Sequence, residues 1–257
     1  ELAKSPIDVI SFTGSTKVRD SIVRWGTDKK IIMELGGNDP IIVMDDADLE
    51  KAAKQIVLHR FGFSGQRCTS CKRVYVHRLV YLELRDKVLA LVKDLKVGDP
   101  NNTDVDVGPL IDEQAAISIK EKVDEAILSG AKMLTEFKRE GAYVYPVVFE
   151  VEKGEQVFID EELFGPVLPL MQFDDIDDAI MRINASPYGL QAGIFTDRLQ
   201  LVKAVFRDLK VGALIVNDGP SFRLEPLPFG GVKGSGLGRE GIRYAMQEFS
   251  SIKTLIN

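Results

Sequence analysis

The chain is poor in cysteine and histidine, with two of each in 257 residues. Cys68 and Cys71 cannot make a disulfide framework, and thiols this sparse suit a reducing cytoplasm. His59 and His77 are too few for a histidine-based metal site. Neither HExxH nor a paired CxxC pattern occurs, so no metal is expected. No apolar run approaches the ~18 residues of a membrane span. The opening Glu1-Leu-Ala-Lys-Ser-Pro6 has neither a signal-peptide core nor an initiator Met, so the chain is expected to be cut from something larger. Positive charge is in deficit too. There are 33 Lys and Arg against 39 Asp and Glu, a net charge of −6, which gives no electrostatic reason to bind nucleic acid or an anionic membrane. Internal repeats and low-complexity tracts are absent. What is present, 45% hydrophobic and 28% charged residues, is ordinary for a globular protein with one large core or two small ones.

Apolar patterning alternates between strand and helix along the chain. Strands are expected at Asp8–Thr13, Lys30–Glu34, Pro40–Met44, Lys72–His77, Tyr143–Phe149, Val167–Phe173, Gly193–Thr196, Gly212–Asn217 and Ile252–Ile256. Helices are expected at Lys17–Trp25 (N-capped by Ser15 or Thr16), from Asp48 to about His59, and at Val80–Leu95, Asp112–Leu128, Asp175–Ala185, Leu199–Leu209 and Arg239–Phe249. Strands and helices in this alternation predict an α/β fold with a largely parallel sheet. Gly230–Gly238 reads as a long loop, which in a compact domain is more often functional than idle.

Two segments carry the chemistry. Cys68 lies in Phe63-Ser-Gly-Gln-Arg-Cys-Thr-Ser-Cys71. A free cysteine is ordinarily a small buried hydrophobe, but Gly65, Gln66, Arg67, Thr69 and Ser70 are poor core material. A thiolate nucleophile is the alternative, with Arg67 a candidate to lower its pKa. Cys71 reads as a second buried thiol or as half of a thiol–disulfide pair. Glu34 ends the apolar Ile31-Ile-Met33 and precedes Gly36-Gly37, 34 residues before Cys68. It is either a strand-end surface charge or a base for water. A thiolate and a carboxylate base are the two groups that oxidation of an aldehyde requires.

Five stretches, in order, resemble the NAD(P)-dependent aldehyde dehydrogenase family. They are Phe12-Thr-Gly-Ser15, Glu34-Leu-Gly-Gly37, Gly65-Gln-Arg-Cys68, Glu162-Leu-Phe-Gly-Pro-Val167, and Pro228-Phe-Gly-Gly-Val-Lys233 with Ser235-Gly-Leu-Gly-Arg-Glu240. The resemblance implies a three-layer domain with a twisted sheet. It divides the chain into the end of a cofactor domain (1–36), a catalytic domain (37–236), and a C-terminal helix and oligomerisation strand (237–257). It implies that Cys68 is the nucleophile and that its backbone N–H donates to the oxyanion. Glu34 would be the base that hydrolyses the thioester. It implies NAD or NADP as cofactor, near Gly14, Ser15, Leu35 and Gly36, with Glu162 on the nicotinamide ribose and Phe164 beside the ring. Arg67, Thr69, Arg223 and Phe229 are the residues implied to meet substrate.

The Gly-Gln-Arg-Cys-Thr segment followed by Lys72-Arg73 is similar to lactaldehyde, non-phosphorylating glyceraldehyde-3-phosphate and succinate-semialdehyde dehydrogenases. A small polar aldehyde is the substrate this suggests. Family members are about twice as long. The absent half would carry an Asn of the oxyanion hole and the residues that read the adenosine ribose. A cytoplasmic homo-oligomer, dimeric or tetrameric in the full-length protein, is implied. Two alternatives stand beside this reading. One is a CoA-acylating relative, which would not need Glu34. The other is an inactive fragment serving folding or assembly through the strand at Ile252–Ile256.

Overall fold

The computed structural model describes residues 2–152 and 155–257. In chain order the elements are β1 (Val9–Thr13), α1 (Thr16–Trp25), β2 (Lys30–Glu34), β3 (Pro40–Val43), α2 (Leu49–Phe61), β4 (Arg73–His77), α3 (Tyr81–Lys93), α4 (Glu113–Leu128), β5 (Lys132–Met133), β6 (Arg139–Glu140), β7 (Tyr143–Val144), β8 (Val147–Val151), α5 (Gln156–Asp160), β9 (Val167–Phe173), α6 (Ile176–Ala185), β10 (Gln191–Phe195), α7 (Leu199–Asp208), β11 (Ala213–Val216), β12 (Gly236–Leu237) and α8 (Ile242–Glu248).

A seven-stranded sheet runs β11-β10-β3-β4-β9-β8-β5. Its pairings are parallel except β5 with β8, so the expected largely parallel sheet is present. Its central strands are buried on both faces because helices cover both. Successive side chains of a strand point to opposite faces. Ile41, Val43, Val74 and Val76 therefore pack with Ala53, Ile56, Leu84 and Val88 of α2 and α3. Ile42, Met44 and Tyr75 pack with Ile119 and Val123 of α4, Ile180 of α6 and Val205 of α7. The result is three layers, helix–sheet–helix. A second sheet, β1-β2-β12, is parallel between β1 and β2 and antiparallel between β2 and β12. Its middle strand delivers Glu34 to the site.

The helix starts follow from side-chain caps. Asp48 accepts from the Lys51 N–H, Asp112 from Ala115 and Asp175 from Asp177, each filling an orphan donor of a first turn. Ser15 takes the N-cap position of α1 with extended backbone but makes no side-chain cap bond.

Four expectations are corrected. The Tyr143–Phe149 strand is two strands, because Pro146 has no N–H for the ladder and Tyr145 N–H donates instead to Lys138 O at 3.0 Å. Gly230–Gly238 is not all loop. It holds a 3₁₀ turn, Lys233–Ser235, and then β12. The last helix starts at Ile242, not Arg239, because Gly241 precedes it at φ 107°. Residues 252–257 pair with no strand of their own chain among the described residues. Ile252, Leu255 and Ile256 are 100%, 93% and 89% exposed, so no neighbouring strand supplies the pairing that would hold one.

Candidate active site

Cys68 sits on the connection from α2 to β4. Just before it the chain makes a left-handed turn, with Phe63, Ser64 and Gly65 at φ 54°, 58° and 74°. Such backbone costs roughly 1–2 kcal/mol for each residue other than glycine, so it needs external support. Ser64 Oγ donates to Gly108 O at 2.8 Å. Gln66 holds both Pro109 O (3.2 Å) and Ile111 N–H (2.8 Å). Ser221 Oγ donates to Thr69 O at 2.8 Å. Gly65 is required as glycine because a Cβ there would meet the Gly165 carbonyl.

A cavity of about 450 Å³ opens beside this turn. Its walls include Cys68, Glu34, Arg67, Thr69, Arg223 and Phe229, with Thr13, Gln66, Gln191, Ser221 and Glu240 completing them. The two expected catalytic residues and all four expected substrate residues therefore share one cavity, although they span residues 34 to 229 of the chain. Glu34 is 6% exposed, and neither carboxylate oxygen has a hydrogen-bond partner among the described residues. Burial, then repulsion from Glu240, pushes its pKa up to about 8, against the opposing pull of Arg239 and Arg223. Arg223 pairs with Glu240 at 3.2 Å and lies over the Phe229 ring at 4.3 Å. Arg67 lies over the Phe63 ring at 4.0 Å.

The Cys68 thiol is pushed above its ordinary pKa by burial, with Asp39 and Glu162 adding to the rise. The cation that opposes this is Lys72, not Arg67 as the sequence suggests. Lys72 is buried, and its Nζ donates to Arg67 O and Cys68 O, both at 2.7 Å, and pairs with Glu162 Oε1 at 3.1 Å. Nothing local in the sequence marks it, since Lys72 stands just before β4 beside a second cation, Arg73. Asp39 is buried, neither of its carboxylate oxygens has a hydrogen-bond partner among the described residues, and burial pushes its pKa up to about 8 against the pull of Lys72. Cys71 is fully buried, its thiol pushed up to about 12 by burial, which is the structural reading of that residue.

The expected cofactor residues lie to one side. Glu162 Oε1 accepts the Gly37 N–H at 3.1 Å, and a Cβ on Gly36 would collide with the same carboxylate. Gly14 N–H donates to Glu34 O at 3.0 Å, and Ser15 stands at the α1 N-terminus with an exposed side chain. Leu35 is buried and donates to Ser235 O at 2.9 Å. Phe164 is 44% exposed and lines a different cavity, with Phe63 and Gln66. Among the described residues no cluster of three or more His, Cys, Asp or Glu is placed to hold a metal ion, and no helix is long and apolar enough to cross a membrane.

Residues 2–255 match the model of the "Aldehyde dehydrogenase family". The chain belongs to the aldehyde dehydrogenase family. Sulfoacetaldehyde dehydrogenase of Neptuniibacter caesariensis is 46% identical over 254 residues, covering 99% of this chain and 56% of that protein. Lactaldehyde dehydrogenase of Methanococcus aeolicus is 38% identical, covering 97% of this chain and 54% of that one. Among solved aldehyde dehydrogenases and their kin, glyceraldehyde-3-phosphate dehydrogenase of Methanocaldococcus jannaschii, complexed with NADP, superposes with a TM-score of 0.93 at 38% identity. That match covers 97% of this chain and 54% of the other. The chain thus spans about half the length of the aldehyde dehydrogenases it matches.

Proposed function

We propose that this chain is the catalytic part of an NAD(P)-dependent aldehyde dehydrogenase that oxidises a small polar aldehyde to its carboxylic acid. The observation that carries the reading is the single cavity shared by Cys68 and Glu34. The Cys68 thiolate attacks the aldehyde carbon to form a thiohemiacetal, and the Cys68 N–H donates to the oxyanion. When bound, NAD(P)+ supplies the hydride acceptor. The acyl group then stays on Cys68 as a thioester. Glu34 takes a proton from water, which attacks the thioester and releases the acid. A carboxylate titrating near 8 is a stronger base than an exposed one and is still ionised in part at neutral pH. Its position in the cavity supports hydrolysis over transfer to CoA, which needs no such base.

The residues present fit the cofactor. Glycine at 36 lets the Glu162 carboxylate lie directly against the backbone, where a Cβ would collide with it, and so holds that carboxylate in place for a ribose. Glu162 would take the ribose hydroxyls, Phe164 would pack beside the nicotinamide, and the α1 N-terminus at Gly14 and Ser15 would face phosphate. Residues 1–36 are then the end of a cofactor domain. The Methanocaldococcus protein was solved with NADP, and either NAD or NADP suits this reading.

Arg67 and Arg223 line the cavity as guanidinium groups, well suited to an oxyanion such as sulfonate, phosphate or carboxylate. The matched relatives that act on sulfoacetaldehyde and lactaldehyde support a small polar substrate. The test is reduced-nicotinamide formation with a panel of aldehydes, with Cys68→Ala as control. Sulfonated, phosphorylated or hydroxylated short aldehydes are expected to exceed long alkyl aldehydes in kcat/KM by about tenfold or more, the worth of one charged hydrogen bond. Equal kcat/KM across the panel would overturn the substrate class. Activity that survives Cys68→Ala would overturn the mechanism.

A further inference from the structure

We propose that Lys72 is the positioning residue of the nucleophile turn: by holding the carbonyls of Arg67 and Cys68 it aims the Cys68 and Thr69 amides at the reacting groups, and through Glu162 it ties that aim to the cofactor side of the site. This rests on the aldehyde dehydrogenase reading above and assigns a residue that reading leaves without a task.

The geometry begins with donor counting. A lysine ammonium has three protons. Lys72 has three acceptors, Arg67 O at 2.7 Å, Cys68 O at 2.7 Å and Glu162 Oε1 at 3.1 Å. Its side chain is 1% exposed, so water does not compete for them. In a trans peptide the C=O and N–H of one plane point in opposite directions. Arg67 O shares a plane with Cys68 N–H, and Cys68 O shares one with Thr69 N–H. Drawing both carbonyls onto Lys72 therefore turns both amides to the opposite side of the turn, where the cavity lies. The Thr69 N–H stabilises the Cys68 thiolate from there. Neither amide donates to a backbone carbonyl among the described residues, which leaves the Cys68 N–H free for an oxyanion. Gly37 closes the arrangement from behind, since a Cβ there would stand 2.5 Å from Cys68 O.

Glu162 makes the tether conditional. Its Oε1 is shared between Lys72 and Gly37 N–H, and its carboxylate lies against Gly36. A carboxylate turned toward ribose hydroxyls leaves Lys72 with two carbonyls and an unneutralised charge near the thiol. Ordering of the cofactor side thus raises the pull of Lys72 on the thiolate. The groups that face Lys72 are Glu162, Asp39 and Arg60. Those that act on the thiol are Lys72, Asp39, Glu162 and the Thr69 amide. Across the cavity stand Glu34, Arg67, Arg223 and Glu240.

The experiment is alkylation of this chain by iodoacetamide as a function of pH, with the product located at Cys68 by mass spectrometry. It needs neither cofactor nor substrate. In Lys72→Met the pH midpoint is expected to rise by about one unit or more, the effect of removing an opposite charge at this range. Alkylation below the midpoint then slows about tenfold, because thiolate falls tenfold per unit. In Glu162→Gln the midpoint is expected to fall, since Lys72 keeps its charge while the opposing carboxylate is gone. A Lys72→Met chain that melts cooperatively and alkylates with the wild-type midpoint overturns the proposal. Should that variant not fold, an unchanged midpoint in Glu162→Gln overturns it instead. A wild-type Cys68 that resists alkylation at every pH overturns the aldehyde reading itself, which separates the two failures.

Discussion

Burial raises the pKa of both Glu34 and Asp39, and that shift links folding to pH. Both are pushed up to about 8, chiefly by desolvation. In the unfolded chain a glutamate titrates near 4.5. Between that value and about 8 the folded chain holds more protons than the unfolded one, so stability falls as pH rises through the window. The contribution is fully present below the unfolded pKa and lost above the folded one. Glu34→Gln removes its share of that slope and leaves the share of Asp39. The melting temperature of the variant is therefore expected to overtake that of wild type as pH climbs toward 9 and to converge with it near pH 4. Parallel curves across the range would show Glu34 to be ionised and solvated. The same group governs turnover in the opposite direction. Hydrolysis of the Cys68 thioester needs the carboxylate form, so the rate is expected to rise through pH 8 in wild type and to be lost in Glu34→Gln. A pH–rate profile without that rising limb would remove Glu34 as the base.

Arg60 does for the connection between α2 and β4 what Lys72 does for Cys68. It is fully buried and donates to Ser70 Oγ at 3.2 Å, Cys71 O at 3.4 Å, Leu163 O at 2.9 Å and Gly165 O. One guanidinium thus ties the end of α2 to both the nucleophile segment and the Glu162–Val167 segment. Truncation leaves buried acceptors unpaired at roughly 1–3 kcal/mol each. Arg60→Ala is expected to cost about 3 kcal/mol or more, read as a shift in denaturant midpoint. A loss below about 1 kcal/mol would mean that water replaces the guanidinium. Arg60 and Lys72 also mark where the sequence stops being legible. Most strands of the large sheet were readable because apolar runs such as Ile41–Val43 and Leu168–Met171 are local signals, whereas β5, the two residues Lys132–Met133, was missed and becomes strand only by pairing with β8. The partners of Arg60 and Lys72 lie up to about a hundred residues away, and no local pattern names them. β12 was missed for the same reason. Gly236 and Leu237 have no strand character of their own and become strand only by pairing with Glu34 and Met33. Cys68 and Glu34 were singled out through a motif, and the structure brings them to one cavity. The cavity that unites them with Arg223 and Phe229 follows from a sheet order that periodicity does not give.

β11 closes one end of the seven-stranded sheet with β10 as its only neighbour among the described residues, so its outer edge has unpaired backbone groups. Beside it lies a cavity of about 350 Å³ lined by Leu214, Val216, Phe222 and Leu227. At the far end of the chain, residues 252–257 present Ile252, Leu255 and Ile256 almost wholly to solvent. Three large apolar side chains in one exposed segment have a hydrophobic reason to find a surface. A segment without secondary structure of its own has a hydrogen-bonding reason to pair with an open strand edge. The two features complement each other in a second copy of the chain, which is why a homo-oligomer is the assembly we expect. Replacing Ile252, Leu255 and Ile256 with serine is expected to reduce the mass seen by sedimentation to that of one chain. The melting temperature extrapolated to low concentration should not move, since these residues bury nothing within their own chain. A wild-type chain that sediments as a monomer at tens of micromolar, or a triple variant that keeps the wild-type mass, would rule out the tail as the joint and turn attention to the remaining exposed apolar side chains on α1 and α8, Trp25 and Met246 among them.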